Sequence, residues 1–224
     1  NQLFGKRIIE KPRQIKAEDV KVLASLGVQN LLCPVATTST HPFHRGFDSY
    51  YGLLDGCCNF FDPTQPDPKF KGGRIRKFGQ DDQRITEFPD DYYTTDAFTD
   101  HAVQQLRKFA AADKPFFLHI CYTAPHYPLH ASGVQDFQSA PHRQWQDLRM
   151  AVYAAMIDSM DQNIGRILQA LDETGTAENT LVLFLSDNGG CAETPGGNDP
   201  KQVPGPKEFY SHCGPGWAYA QNTP

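Results

Sequence analysis

Residues 180–190, TLVLFLSDNGG, decide the fold prediction for this chain. The run is short, almost wholly apolar and followed by turn residues, which is typical of a buried strand. Ligands of open α/β sheets bind beyond the carboxyl ends of strands, where Asp187 and Asn188 stand. Their oxygens suit Ca²⁺ or Mg²⁺ rather than a soft metal. An ordinary turn, rich in Asp, Asn and Gly, explains the same residues and stays open at this point.

Two amphipathic helices are predicted upstream of this strand. Residues 94–114 begin with threonines suited to capping, and Pro115 ends the helix. Residues 148–175 form the longer helix, with Gly175 as a fitting stop. Apolar residues recur at helical spacing in both. They are Phe98, Ala102, Leu106 and Phe109 in the first, and Val152, Met156, Met160, Ile164, Ile167 and Leu171 in the second.

A second short strand, residues 116–122 (FFLHICY), is predicted between the helices. The order helix, strand, helix, strand indicates an α/β sheet with helices packed on its faces. Prolines 125 and 128 stiffen the backbone around His126, which favours an imidazole aimed at a bound anion or leaving group. A packed or exposed loop histidine is the alternative. His119 is interpreted as a core histidine, and His130 is left undecided.

The remaining segments carry weaker signals. Within residues 1–40, residues 14–32 suit one amphipathic helix. Residues 41–93 are rich in aromatics, Gly, Pro and Asp, which predicts an ordered long loop with short strands. The basic run at 69–77, KFKGGRIRK, is interpreted as a solvated loop rather than a polyanion site. The last 34 residues are predicted to be loop, and the whole resembles a slice of one domain.

Composition bounds the class of protein. The 224 residues are 39% hydrophobic and 21% charged, which is typical of a globular chain. A formal charge of -5 gives no electrostatic basis for a nucleic-acid partner. No run approaches the ~18 apolar residues of a membrane span. The N-terminus lacks an initiator Met and a signal-peptide core, so we expect a processed chain or a fragment. Six cysteines without CxxC spacing leave disulfides open.

Four segments and the closing region, in this order, resemble the sulfatase family of the alkaline-phosphatase-like superfamily. The segments are HRGFDSYYG (44–52), YYTTDAFTDHAVQQLRK (92–108), KPFFLHICYTAPHYPLHA (114–131) and MAVYAAMIDSMDQNIGRILQALDETGTAENTLVLFLSDNGG (150–190). The closing residues 189–224 are similar to a bacterial arylsulfatase subgroup. The resemblance predicts a partial catalytic domain at 41–224 and leaves 1–40 unplaced. It implies an α/β alkaline-phosphatase-like sandwich, partly represented, with a central mixed sheet flanked by helices.

The resemblance also implies a function for three residues. Asp187 and Asn188 match the family's calcium ligands, so one Ca²⁺ site is expected. His126 matches the histidine that contacts the sulfate ester, as a catalytic and substrate-binding residue. The implied reaction is hydrolysis of a sulfuric ester, with a sulfate-ester small molecule or a sulfated sugar as substrate. By the same resemblance the complete protein works in the periplasm or as a secreted enzyme.

Other parts of the family's machinery have no counterpart in the sequence. Family members carry paired N-terminal aspartates and a C/S-x-P-S-R pattern that is converted to a formylglycine nucleophile, and neither stands here. No nucleophile is therefore assigned, the calcium site is incompletely represented, and we expect the chain alone to be inactive. Two alternatives stay open: a phosphate or phosphonate ester hydrolase of the superfamily, and a catalytically dead binding or scaffold relative.

Overall fold

The computed structural model describes residues 41–67, 73, 75–112, 114–131, 145–189 and 207–208. The helix predicted at 14–32 and most of the final loop lie outside these residues. The strands are β1 (Tyr51–Leu53), β2 (Phe78–Gln80) and β3 (Gln83–Ile85). The α-helices are α1 (Thr94–Ala111) and α2 (Trp145–Glu173), and 3-10 turns span Pro42–Arg45 and Ala177–Asn179. No helix in the described part is both long and apolar enough to cross a membrane.

The two α-helices pack against each other through the predicted apolar stripes. Ala102 and Leu106 of α1 form one buried cluster with Ile167, Ala170 and Leu171 of α2. Burying a leucine of this kind stabilises the fold by about 1.5–3 kcal/mol. In a second cluster, the N-terminal half of α2 packs against the loops on either side of α1. Its buried members are Phe60, Tyr93, Ala124, Leu129, Ala131, Val152 and Met156.

The predicted stop of α2 is confirmed by its geometry. Gly175 has a φ of 69°, a left-handed conformation that favours glycine. The Thr176 N–H donates to the Leu171 carbonyl and the Gly175 N–H to the Asp172 carbonyl, each at 3.0 Å. This paired arrangement is a Schellman motif, which satisfies carbonyls left over at the helix end.

The predicted capping of α1 is wrong. Tyr93 occupies the N-cap and makes no side-chain cap hydrogen bond. The Thr94 side chain is buried, and both its N–H and its hydroxyl donate to the Phe60 carbonyl, at 2.8 and 3.0 Å. Tertiary contact with the preceding loop therefore replaces a local cap, because Phe60 offers an acceptor at the start of the helix.

The described residues of the aromatic-rich region, 41–93, form an ordered loop with short strands, as predicted. The strands form one antiparallel sheet in the order β1-β2-β3, with Tyr51 opposite Gln80 and Gln80 opposite Gln83. Phe78 of β2 is 1% exposed and packs edge-on against Tyr92, whereas its ring stacks with Phe98 of α1. The aromatic rings thus attach this small sheet to α1.

Residues 116–122, here called the packed segment, belong to no strand ladder within the described residues. The predicted strand is therefore not formed within the described residues. Its alternate side chains pack against the α1–α2 cluster, as the two-residue period of an extended chain allows. These side chains are Phe116, Leu118, Ile120 and Tyr122.

Residues 181–185, here called the exposed segment, contradict the prediction of a buried strand. Their side chains are 53–81% exposed, and the described part of the chain gives them no ladder partner. The apolar run predicted burial, but a strand is buried only when neighbouring strands or helices cover its faces. The segment follows the Ala177–Asn179 turn, which comes after the end of α2.

Candidate functional site

The loop that carries His126 is fixed on both sides by buried residues. Ala124 is 6% exposed before it, and Leu129 and His130 are fully buried after it. His126 itself is exposed. The peptide bonds preceding Pro125 and Pro128 are both cis. The loop therefore presents one imidazole to solvent from a backbone that is packed at either end.

Two hydrogen bonds define the conformation of His126. Its backbone N–H donates to the Thr123 carbonyl at 2.9 Å, which closes a turn. Its ring Nδ1 lies 2.8 Å from the Tyr127 carbonyl oxygen. Because a carbonyl only accepts hydrogen bonds, Nδ1 carries the proton in this arrangement. The other ring nitrogen, Nε2, is then the atom available to a ligand.

A buried polar cluster lies beneath this loop. The Tyr127 hydroxyl donates to Oδ2 of Asp67, a residue with no exposed surface. Nη2 of Arg76 lies 3.4 Å from the same oxygen and 3.5 Å from the Cys57 sulfur. Burial raises the pKa of Tyr127, and its hydrogen bond to Asp67 raises it further, so the phenol stays protonated.

Arg76 corrects the interpretation of the basic run at 69–77 as a solvated loop. Its side chain is only 5% exposed and is paired with the buried Asp67. Burying a guanidinium is unfavourable unless a carboxylate compensates its charge. The sequence run contains the cation but gives no indication of its partner nine residues earlier.

Asp187 and Asn188 lie in an exposed turn after the exposed segment. The Asn188 N–H donates to Oδ1 of Asp187, and the Asn188 amide donates to the Gly189 carbonyl, each at 2.9 Å. Each side chain keeps an oxygen available to solvent. A carboxylate and an amide fit the chemistry of Ca²⁺, but they supply a minority of the 6–8 oxygens that this ion prefers.

The structure does not join His126 to the other two predicted residues. No hydrogen bond or ion pair among the described residues joins His126 to Asp187 or Asn188. In the same part of the chain, no group of three or more His, Cys, Asp or Glu residues forms a metal cage. Each half of the candidate site therefore stands by itself, on its own loop.

Two other histidines have structural environments. The undecided His130 is buried, and its Nδ1 accepts a hydrogen bond from the Phe60 N–H at 3.2 Å. Its carbonyl accepts a bond from the Tyr93 hydroxyl at 2.9 Å. His119, predicted as a core histidine, is half-buried, and its Nε2 lies 3.3 Å from the exposed Cys121 sulfur. Burial lowers the pKa of His119.

Sequence reasoning did not identify the cluster of Asp67, Arg76 and Tyr127. No motif spacing joins these residues, since the hydrogen bond from Tyr127 to Asp67 spans 60 positions. Tyr127 also stands inside the proline-flanked stretch that directed attention to its neighbour, His126. Only the folded chain reveals that the phenol faces inward while the imidazole faces solvent.

Comparisons with known proteins give the family. The Sulfatase family model matches residues 21–223, starting upstream of residue 41, where the catalytic domain was predicted to begin. An arylsulfatase of Klebsiella aerogenes is 26% identical over 82% of this chain and 51% of its own length. Arylsulfatase J of Mus musculus is 31% identical over 71% of this chain and 26% of its own.

A solved structure, that of Ps i-CgsB in complex with k-i-k-neocarrahexaose, has a TM-score of 0.51 and 29% identity. The match covers 63% of this chain and 32% of the solved one. The chain thus spans about half the length of the first relative and a quarter to a third of the other two. With the family match over residues 21–223, the chain belongs to the sulfatase family, and its fold is α/β of the alkaline-phosphatase-like type.

Proposed function

We propose that this chain is part of a sulfuric ester hydrolase of the arylsulfatase type. The observation that carries the proposal is the sulfatase match over residues 21–223, which includes both loops of the candidate site. The two arylsulfatases among the relatives support this reaction class. The exposed imidazole of His126 supports it independently, because its Nε2 is available to an ester oxygen.

In this proposal His126 contacts the sulfate ester and acts on the reacting group. With Nδ1–H committed to the Tyr127 carbonyl, Nε2 accepts a proton in the neutral ring and donates one in the charged ring. A histidine in that position stabilises an oxyanion or protonates a leaving oxygen. Its exposed position gives a substrate direct access to the ring.

Asp187 and Asn188 are proposed to hold one Ca²⁺ together with further oxygen ligands. When bound, the ion supplies positive charge that offsets the charge of a sulfate group. One carboxylate and one amide in an exposed turn bind such an ion weakly by themselves. We therefore expect a dissociation constant of about 1 mM or weaker for the 224-residue chain.

Calcium binding is tested by isothermal titration of the 224-residue chain. Asp187→Asn is expected to abolish the weak heat signal because it removes the only formal charge of the pair. The matched control is Asp172→Asn, which removes an exposed carboxylate from the end of α2. Equal loss of signal in both variants would mean that Ca²⁺ binds only as a diffuse counterion.

The nucleophile of the complete enzyme is proposed to be a formylglycine, and its C/S-x-P-S-R pattern is absent from these 224 residues. The chain alone is therefore expected to leave 4-nitrophenyl sulfate intact. Translating the encoding DNA through both flanks tests whether a longer protein carries the pattern. Clear turnover by the 224-residue chain would contradict its proposed inactivity.

His126 is tested in the longer protein where that pattern is found. His126→Ala is expected to lower kcat/KM for 4-nitrophenyl sulfate by about 100-fold or more. The control is His101→Gln, which alters a histidine of α1 whose ring stacks on Tyr51 of β1. Because His101 belongs to neither loop of the candidate site, this change is expected to leave kcat/KM unchanged. Preference for 4-nitrophenyl phosphate would favour the phosphatase alternative, and a folded but inert protein would favour the catalytically dead one.

The proposed substrate is a sulfate ester of a small aryl compound or a sugar. The solved relative bound to k-i-k-neocarrahexaose supports the sugar class. We also propose that the complete protein acts in the periplasm or after secretion, as inferred from the family resemblance. Activity recovered only in the cytoplasmic fraction of the source cells would contradict that placement.

A further inference from the structure

Tyr127 connects the buried cluster to the exposed histidine. Its phenol reaches inward to Asp67, whereas its carbonyl oxygen lies 2.8 Å from Nδ1 of His126. Tyr127 thus makes one contact through its side chain and the other through its backbone. A shift of the Tyr127 backbone would therefore disturb both contacts together.

The inward contact is a firm anchor because it is charge-assisted and shielded from water. Asp67 is fully buried, so its oxygens are protected from competing solvent. The Arg76 guanidinium lies 3.4 Å from the same carboxylate oxygen that accepts the phenol proton. Hydrogen bonds to an ionised carboxylate are roughly twice as strong as neutral ones.

The outward contact is local and weak by comparison. An exposed imidazole has little packing to restrain it, and a single bond to a neighbouring carbonyl contributes about 1 kcal/mol. The position of that carbonyl therefore decides which ring nitrogen carries the proton and where the other one points. Fixing a reacting group before the substrate arrives lowers the entropic part of a reaction barrier.

We propose that Tyr127, Asp67 and Arg76 are positioning residues for His126, which hold its Nδ1–H against the Tyr127 carbonyl and direct Nε2 to solvent. This inference rests on the proposed function, in which His126 contacts the sulfate ester. It assigns no proton transfer to the buried cluster. The cluster acts through the backbone of Tyr127 only.

The test measures the histidine directly. The 224-residue chain, labelled with ¹⁵N in its histidine rings, is examined by NMR at about pH 8.5, above the ordinary histidine range. The signals of His126 are assigned by their loss in His126→Gln. The wild-type ring is expected to carry its proton on Nδ1. In Tyr127→Phe that preference is expected to be lost, because the phenol no longer anchors the loop.

Tyr122→Phe is the matched control. It removes another half-buried phenol, one that pairs with the Thr99 hydroxyl at 2.7 Å and does not touch Asp67. Its His126 signals are expected to match the wild type, even where its thermal stability falls as far as that of Tyr127→Phe. Asp67→Asn, which keeps an acceptor but removes the charge, is expected to give an intermediate preference.

Either of two results overturns the inference. One is a wild-type His126 that carries its proton on Nε2, a result that needs no variant to fold. The other is an unchanged Nδ1–H preference in both Tyr127→Phe and Asp67→Asn. Failure of the complete protein to hydrolyse sulfate esters would contradict the proposed function and leave these ring signals unaffected, so the two failures are distinguishable.

Discussion

The packed segment at 116–122 and the exposed segment at 181–185 are similar in sequence and opposite in environment. Both are short apolar runs that follow a helix, and both were predicted to be buried strands. The first sets alternate side chains against α1 and α2. The second leaves residues such as Phe184 and Leu185 73% and 81% exposed. An apolar run therefore predicts burial, but the run is buried only where another part of the chain packs against it.

The difference has a physical consequence for the exposed segment. Five adjacent large apolar side chains in water form the kind of patch that marks an interaction or aggregation site. Within the described residues the backbone of this segment also has no ladder partner, and unpaired N–H and C=O groups favour association with another chain. The packed segment avoids much of this cost because the two helices cover one of its faces. The following predictions test this contrast.

The largest effect is expected from truncating a buried side chain in the helix cluster against which the packed segment lies. Leu106 is 2% exposed in the centre of the α1–α2 cluster. Leu106→Ala is expected to lower the free energy of unfolding by about 2–5 kcal/mol, since it combines lost burial with a cavity. Urea denaturation followed by circular dichroism measures the change. A loss below about 1 kcal/mol would mean that the helix pair does not form this core.

Introducing the same charge into each segment compares their environments most directly. Leu118→Asp places a carboxylate against the helix cluster and is expected to cost about 2 kcal/mol or more. Leu183→Asp puts the same charge at a position that is 68% exposed, and its cost is expected to stay within about 0.5 kcal/mol. Thermal unfolding of both variants measures the difference. Equal destabilisation would place residue 183 in a buried environment in solution.

Alkaline pH is expected to weaken the buried core and spare the exposed segment, which contains no titrating side chain. Burial raises the pKa of Cys58 from 9.0 to about 12 and raises the pKa values of Tyr92 and Tyr93. The unfolded chain loses these protons first, so their stabilisation is complete below pH 9 and is lost as pH rises towards 12. The thiol alone contributes about 1.4 kcal/mol per pH unit in this interval.

Urea denaturation at a series of pH values measures this decline. Cys58→Ser removes the thiol and is expected to flatten the first part of the curve, between pH 9 and 10, where tyrosines of the unfolded chain are still protonated. Stability that is independent of pH up to 11 would contradict the burial of these groups.

The smallest effect is expected at the solvent edge of the helix pair. The Arg107–Glu173 pair at 3.2 Å has side chains that are 63% and 46% exposed. Arg107→Ala is expected to cost less than about 1 kcal/mol, because solvent screens exposed ion pairs. Chemical denaturation at low and at high salt provides the measurement. A cost as large as that of Leu106→Ala would mean that the pair, rather than apolar burial, holds α1 to α2.

The sequence by itself determined the two helices, the stop at Gly175 and the ordered aromatic region. These features depend on local periods and local backbone preferences that a sequence displays directly. The ordered motifs also indicated the family and drew attention to His126, Asp187 and Asn188. The roles of these three residues stay predictions.

Only the tertiary structure decided which apolar runs are covered and what holds the loop of His126. The start of α1 depends on the distant Phe60 carbonyl, and the basic run at 69–77 contains a buried arginine paired with Asp67. Tyr127 meets that same carboxylate across 60 residues. Burial and charge pairing arise from surfaces that distant parts of the chain bring together, so no local pattern specifies them.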